Sequence, residues 1–227
     1  MSAGTGSLAP DAVRAMFDRI APVYDLMNRA MTGGLDRRWR RLTAEAVVRP
    51  GDRVLDACCG TGDLALAAAH AGGRVTGLDF SERMLARARR KSSAVEWVQG
   101  DMLELPFADA SFNAVTIGFG VRNVAELDAG LAELARVLVP GGRIGCLEIT
   151  RPQGLLRPFF RLWFDVLVPL AGKLLPGGAA YTYLPASVQR FPGPEGLAEA
   201  MRRAGFAAVS WRLLGGGIVA LHVGEAR

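Results

Sequence analysis

Between residue 52 and about residue 149 the chain alternates short, nearly unbroken apolar runs with segments whose apolar positions recur at helical spacing. Val54-Leu55, Arg74 to Asp79, Val95 to Val98, Phe112 to Ile117 and Arg143 to Ile149 read as strands. Residues 63–71, 82–91 and 124–138 read as helices between them. Strands apolar on both faces and alternating with helices predict an α/β fold with a parallel sheet covered on both sides. Pro140-Gly141-Gly142 closes the third helix and launches the fifth strand. A helix over Glu195 to Ala204 and two last strands, from Gly205-Phe206 and over Gly217 to Val223, complete the pattern. Gly215-Gly216-Gly217 suits a hairpin turn between those strands.

The flanks follow other rules. The first ten residues are small and polar, and residues 1–15 are expected to be a disordered lead before a single domain over 16–227. Residues 16–48 predict an N-terminal helical cover. Residues 152–190 break the alternation with an apolar, proline-interrupted stretch in which Arg157, Arg161, Asp165 and Lys173 recur. A membrane span needs about 20 mostly uncharged residues, so this stretch predicts an apolar lid or an interfacial face. A helix pair packed on the core is the plain alternative.

In a sheet of this kind ligands sit beyond the carboxyl ends of the strands, where strand order reverses. Acids occupy those ends here. The apolar strand over Val54-Leu55 stops at an acid, Asp56, and Cys58-Cys59-Gly60-Thr61-Gly62-Asp63 is a tight glycine turn into a helix. Gly60 and Gly62 let the backbone turn and let a ligand approach closely. Gly60-x-Gly62-x-x-Ala65 fits a loose dinucleotide fingerprint, which keeps NAD in play on spacing alone. A pyrophosphate prefers a positive helix start, whereas Asp56 and Asp63 bracket this turn with negative charge. S-adenosylmethionine, with its sulfonium and ammonium, suits such a pocket better. Asp79 ends the second strand about 20 residues after the glycines, where a carboxylate accepts from ribose hydroxyls. Asp101 and Met102 follow the third strand, one placed for an adenine amino group and the other to pack on the ring. A capping acid and simple turns are the competing readings of Asp56, Asp79 and Asp101.

Net charge is +5, with 27 Lys and Arg against 22 Asp and Glu. Only Lys91 and Lys173 are lysines, and the small arginine clusters read as solvated helix faces, so no nucleic-acid partner is expected. Mild attraction to anionic headgroups is a second reading and allows peripheral membrane association through 152–176. Three cysteines without C-x-x-C spacing and two histidines predict no metal site. Free thiols and the lack of a signal-peptide pattern point to a cytoplasmic chain, with the inner face of the membrane as its place of contact. His222, between apolar neighbours, reads as a core residue, and His70 as a helix C-terminal partner.

Other segments are more specific. They include Tyr24-Asp25-Leu26-Met27-Asn28, Gly118-Phe119-Gly120-Val121-Arg122-Asn123 and Ala220-Leu221-His222-Val223-Gly224. In that order, with the Gly-Thr-Gly-Asp loop, the chain resembles the ubiquinone/menaquinone biosynthesis C-methyltransferases from about Met16 to Gly224. The resemblance implies a class I S-adenosylmethionine-dependent methyltransferase fold, Rossmann-like, with a mostly parallel seven-stranded sheet and helices on both faces. It implies methyl transfer to a ring carbon of a lipophilic polyprenylated quinol, demethylmenaquinol first, with a benzoquinol of ubiquinone synthesis as the alternative. Cofactor positions carried over are Thr61, Asp79, Asp101, Met102 and Gly118. Relatives often carry serine at the last, so only backbone contact remains there. For the chemistry, Arg122 is the candidate to stabilise a phenolic oxyanion, with a structural ion pair as its alternative. Tyr24, Asp25 and Asn28 are expected on a helix over the cofactor, Asp25 as base or orienting acceptor, or all three as helix-fixing groups. A nucleic-acid methyltransferase would place Asp/Asn-Pro-Pro-aromatic where Gly118-Phe119-Gly120 stands. A non-catalytic cofactor sensor is the remaining rival.

Overall fold

The computed structural model describes residues 9–152, 158, 160, 162, 170 and 178–227. Seven strands form one sheet: β1 (Arg53–Ala57), β2 (Arg74–Asp79), β3 (Glu96–Gln99), β4 (Phe112–Gly118), β5 (Leu138–Ile149), β6 (Phe206–Leu214) and β7 (Val219–Ala226). Their order is β3-β2-β1-β4-β5-β7-β6. Pairings among β1 to β5 are parallel, and β7 runs antiparallel to both β5 and β6. Strand order reverses between β1 and β4, so the sheet opens a crevice at their carboxyl ends.

Eight α-helices are described: α1 (Pro10–Ile20), α2 (Tyr24–Thr32), α3 (Leu35–Val47), α4 (Asp63–His70), α5 (Glu82–Lys91), α6 (Leu127–Val137), α7 (Gly178–Arg190) and α8 (Pro194–Arg203). The sheet separates two cores. Leu55, Ile117, Leu131, Leu134, Leu197 and Phe206 pack on one side. Small residues dominate the other, where Ala44, Ala65, Ala68 and Ala114 meet Val47 and Val54. The alanine-rich α4 thus lies close on the strands, which brings its N-terminus to the crevice.

Two expectations are corrected. Helix α1 starts at Pro10, inside the stretch expected to be disordered through residue 15. Proline suits the first helical position, and Val13, Met16 and Ile20 recur at helical spacing and are buried. The helix expected from Val124 begins at Leu127, after a 3₁₀ turn over Val121–Asn123. Val124 is extended there and walls a cavity instead of entering the helix. Strand β5 takes Leu138 as well: Leu138 pairs with Phe112, and register resumes at Arg143 opposite Ala114 after a bulge at Gly141 (φ +73°).

Most of the apolar stretch over 152–190 lies outside the described residues. Among those described, α7 runs from Gly178 across Pro185 to Arg190. No helix among the described residues is long and apolar enough to cross a membrane.

Candidate active site

The turn after β1 is held in left-handed backbone at Cys58 (φ +52°), Gly60 (φ +55°) and Gly62 (φ +86°). For a cysteine this conformation costs about 1 kcal/mol or more. The glycines have different tasks. A Cβ on Gly62 would lie 2.4 Å from Trp97 Cη2, so this glycine serves packing beneath the loop. A Cβ on Gly60 would meet only Tyr24, at 4.0 Å, on the open side. Gly60 donates its amide to Asp79 Oδ2 at 2.8 Å, and Ser81 donates its amide to Asp79 Oδ1 at 2.9 Å. Burial pushes the Asp79 carboxyl up to about 6, with those two amides pulling the other way.

A cavity enclosing about 800 Å³ up to its mouth lies beyond these strand ends. Gly60, Asp79, Asp101, Met102 and Gly118 all line it. Cys58 Sγ lies 3.7 Å from Met102 Sδ at its edge. A Cβ on Gly118 would lie 3.0 Å from Leu64 Cδ2, which leaves little room for a longer residue there.

Three residues expected to touch a cofactor do not line this cavity: Asp56, Thr61 and Gly62. Asp56 is fully buried under the sheet end, where Thr116 Oγ1 donates to it at 2.7 Å. Burial pushes its carboxyl up to about 7, against the Thr116 hydroxyl. Asp63 is ion-paired to Lys91 Nζ at 2.5 Å. The charge argument made from Asp56 and Asp63 therefore needs correcting. Neither acid faces the cavity, and the carboxylates that do are Asp79 and Asp101.

The N-terminal helices close over the loop through two polar latches. Thr61 Oγ1 donates to Asp25 Oδ1 at 2.5 Å, and Lys91 Nζ contacts Asp25 Oδ2 at 2.7 Å. Ser81 Oγ, which caps α5 by accepting from Met84, donates to Asp18 Oδ1 at 2.5 Å. Between the latches Met16, Ile20 and Ala21 pack on Met84. Burial works to raise the Asp25 carboxyl, but the Lys91 and Thr61 hydrogen bonds outweigh it and hold it low. An acid so engaged, lining neither large cavity, is ill placed as a base. Of the roles weighed for it, base, orienting acceptor or helix-fixing group, its contacts with Thr61 and Lys91 match the last. Lys91 and Asp18 were missed from the sequence; the one available signal was Lys91's rarity as a lysine among arginines.

A second, mostly apolar cavity, open to solvent at its mouth, lies under α1, α2, α3 and α7. Phe17, Tyr24 and Phe119 line both cavities, so the two abut across three aromatic rings. Tyr183 Oη donates to Asn123 Oδ1 at 3.1 Å, joining one cavity's lining to the other's. Asn28 and Arg122 line the apolar one. Arg122 Nη1 pairs with the buried Glu148 Oε1 at 2.8 Å and donates to the Phe119 carbonyl. The ion pair weighed as its alternative is thus present, while Nε has no hydrogen-bond partner among the described residues. His222 lies in the core, its Nε2 2.9 Å from the Pro194 carbonyl, and burial holds its imidazole below the usual range.

Residues 6–226 match the profile of the ubiE/COQ5 methyltransferase family. The chain belongs to that family. A demethylmenaquinone methyltransferase of Deinococcus radiodurans is 48% identical to it, over 95% of this chain and 93% of that protein. A ubiquinone/menaquinone biosynthesis C-methyltransferase UbiE of Rubrivivax gelatinosus is 42% identical, over 93% of this chain and 86% of that one. Among solved structures, a SAM-dependent methyltransferase from Thermotoga maritima superposes with a TM-score of 0.67 at 20% identity, covering 94% of this chain and 99% of that one. That likeness bears on fold, and with the sheet order it makes this ubiE/COQ5-family chain a class I, Rossmann-like methyltransferase. The dinucleotide alternative left open by the glycine spacing falls away with family membership.

Proposed function

We propose that the chain carries the methyl of S-adenosylmethionine to a ring carbon of a polyprenylated quinol, with demethylmenaquinol as the acceptor. The carrying observation is the pair of cavities: one at the strand ends with Asp79 and Asp101, one apolar, sharing Phe17, Tyr24 and Phe119. The names of the relatives support the acceptor class.

The residues at the strand ends fit the donor. Each Asp79 oxygen accepts one amide and keeps a lone pair for a ribose hydroxyl. Gly60, with no side chain, leaves the loop open on that side. Asp101 and Met102 line the same cavity, which supports reading them as the contacts to an adenine edge and face. When bound, S-adenosylmethionine supplies an electrophilic methyl on a sulfonium centre.

The chain's own part is alignment and charge. Displacement at the methyl needs the attacking carbon in line and close, and the shared aromatic wall would set that approach. A quinone ring is electrophilic and does not attack, whereas a quinol pushes electron density from its oxygen onto the ring carbon. Arg122, held by Glu148 and lining the apolar cavity, would stabilise the developing oxyanion. Tyr24, in both linings, would seal the junction against water.

A polyprenyl tail keeps the acceptor in a bilayer, so the reading includes work at the inner membrane face. Leu162 and Leu170, exposed at 55% and 53%, support contact there.

The test is transfer of labelled methyl by the purified chain into detergent-dispersed demethylmenaquinol and, separately, into a demethylated benzoquinol. Label is expected in the naphthoquinol extract, with S-adenosylhomocysteine formed in equal amount. Label in the benzoquinol alone would move the acceptor to ubiquinone synthesis, and label in neither would refute the reading.

A further inference from the structure

No residue of α2 is buried. Tyr24, Met27, Asn28 and Met31 wall the apolar cavity, whereas Leu26, Arg29 and Ala30 are exposed on the helix's other side. Leu26 is the most open of the exposed large apolar side chains described, at 68%. Gly33 and Gly34, both left-handed, turn the chain into α3, and a Cβ on either would meet nothing within 4 Å. The corner therefore stands clear of its surroundings. Just past it, Leu35 lines the apolar cavity and is 44% exposed, which puts it at the cavity's mouth.

Positive charge collects at the same corner. Arg29 lies in the last turn of α2, and Arg37 and Arg38 lie in the first turn of α3. All three are exposed, and none forms an ion pair among the described residues. The acids nearby are engaged elsewhere: Asp25 by Lys91 and Thr61, and Glu45 by Arg41, while Asp36 is buried beside Arg40. Leu26 with Arg29, and Leu35 with Arg38, are spaced i, i+3, so each leucine has an arginine on its own face of the helix. A single exposed leucine needs no explanation. Two of them set in uncompensated positive charge, one at a cavity mouth, form a surface of mixed chemistry.

We propose that the α2–α3 corner is the surface by which the chain docks on an anionic phospholipid bilayer, Leu26 and Leu35 entering the headgroup layer and Arg29, Arg37 and Arg38 meeting lipid phosphates. This rests on the quinol reading above, which places the acceptor's tail in a bilayer. Such a bilayer offers both complements at once, negative charge at its surface and hydrocarbon just beneath. Nucleic acid would match the arginines and leave the leucines wet. A second copy of the chain, docked about a two-fold axis, would set arginines against arginines. With the corner on the bilayer, Leu35 touches the cavity and the lipid together. The acceptor ring can then enter while its tail stays among the acyl chains.

The experiment is flotation of the full chain with vesicles of phosphatidylcholine, alone or mixed with phosphatidylglycerol. Binding is expected to the mixed vesicles, about 100-fold weaker to the neutral ones, and weakened by salt. Arg37→Gln combined with Arg38→Gln should reduce it about 20-fold, and Leu26→Ser about tenfold. These three side chains are exposed and line neither cavity, so methyl transfer to detergent-dispersed demethylmenaquinol should stay unchanged in both variants. Transfer to the same quinol carried in mixed vesicles should fall with binding. No binding to mixed vesicles, equal binding to neutral ones, or variants that float like the wild type overturns the proposal. Binding to duplex DNA in place of vesicles, or self-association in place of vesicle binding that these substitutions abolish, gives the surface to another partner and also overturns it. Flotation is read without turnover, so a chain that binds mixed vesicles but methylates no quinol in any form refutes the acceptor reading and leaves the docking surface standing.

Discussion

The two cavities meet at three aromatic rings and are built on different terms. The strand-end cavity has a floor of backbone and of acids fixed by backbone, Gly60, Gly118 and Asp79 held between two amides, and borrows Val13, Phe17 and Tyr24 from the helical cover. The apolar cavity is made mostly of side chains from the helices α1, α2, α3 and α7, with Ile149 and Val219 of the sheet at its base. One is set by the fold's hydrogen-bond ladder, the other by how a helical cover is tied down. The first should therefore tolerate almost no change of residue and little motion. The second can change its occupant by changing side chains.

The most disruptive test of the rigid side is Gly62→Val. A side chain there enters the Trp97 ring, with Cβ 2.4 Å from Cη2, in backbone of φ +86°. Overpacking and left-handed strain together predict a loss of about 2–5 kcal/mol, read from urea denaturation. Gly60→Ala at φ +55° meets nothing closer than 4.0 Å and should cost about 1 kcal/mol of stability while weakening donor binding far more. Equal losses of stability in the two variants would contradict the division of labour within the loop.

Next in size is Asp79→Ala, expected to weaken S-adenosylmethionine binding about 100-fold in calorimetric titration, since two charge-assisted ribose contacts go at once. Retained donor affinity would remove Asp79 from the site. The pH dependence sharpens the point. With the carboxyl at about 6 in the ligand-free chain, donor affinity should be flat above pH 7 and fall by up to about tenfold per unit below 6, as the group protonates. Stability of the ligand-free chain runs the other way. Asp79 and Asp56 are both raised from the ordinary 3.8, so the folded state holds protons that the unfolded state has lost. Their contribution is full below about pH 4 and is lost as pH rises through about 6 and about 7. A melting temperature that climbs over that window would contradict the assignment of these two acids as burial-dominated.

The same contrast explains what could be read in the chain without coordinates. β2 and α5 fall at the bounds expected from periodicity, because each depends on neighbours in sequence. Gly60 and Asp79 were legible for that reason too: a strand, an acid and a glycine turn are local signals. Gly62 was also noticed, but its reason was not, since nothing local announces Trp97 beneath it. Asp56 and Asp63 looked like two charges around a ligand, and only the fold shows one sealed under Thr116 and the other paired to Lys91. The latches join residues 36 and 63 positions apart. Long-range side-chain pairing leaves no periodic trace, so a helix over the cofactor was foreseen while the partners that tie it down, Thr61 and Lys91 for Asp25 and Ser81 for Asp18, were not.

The smallest expected effect tests that closure. Asp25 joins α2 to the glycine loop through Thr61 and Lys91, with Lys91 and Asp25 side chains 23% and 16% exposed. A partly shielded ion pair of this kind is worth about 1 kcal/mol, which sets the scale. Asp25→Asn should speed dissociation of S-adenosylmethionine about fivefold in stopped-flow measurements, leave global stability nearly unchanged, and leave the pH profile near 6 untouched, because the Asp25 carboxyl is held below its ordinary value and does not titrate there. Lys91→Met should give a similar acceleration, and the double variant should add little to either, since both substitutions open one contact. Were Asp25 the proton-abstracting group, its loss would instead abolish methyl transfer at unaltered dissociation rate. A fivefold faster release with most of the turnover retained assigns it to the latch, and a silent variant would mean that the apolar packing of Met16, Ile20 and Ala21 on Met84 closes the cover unaided.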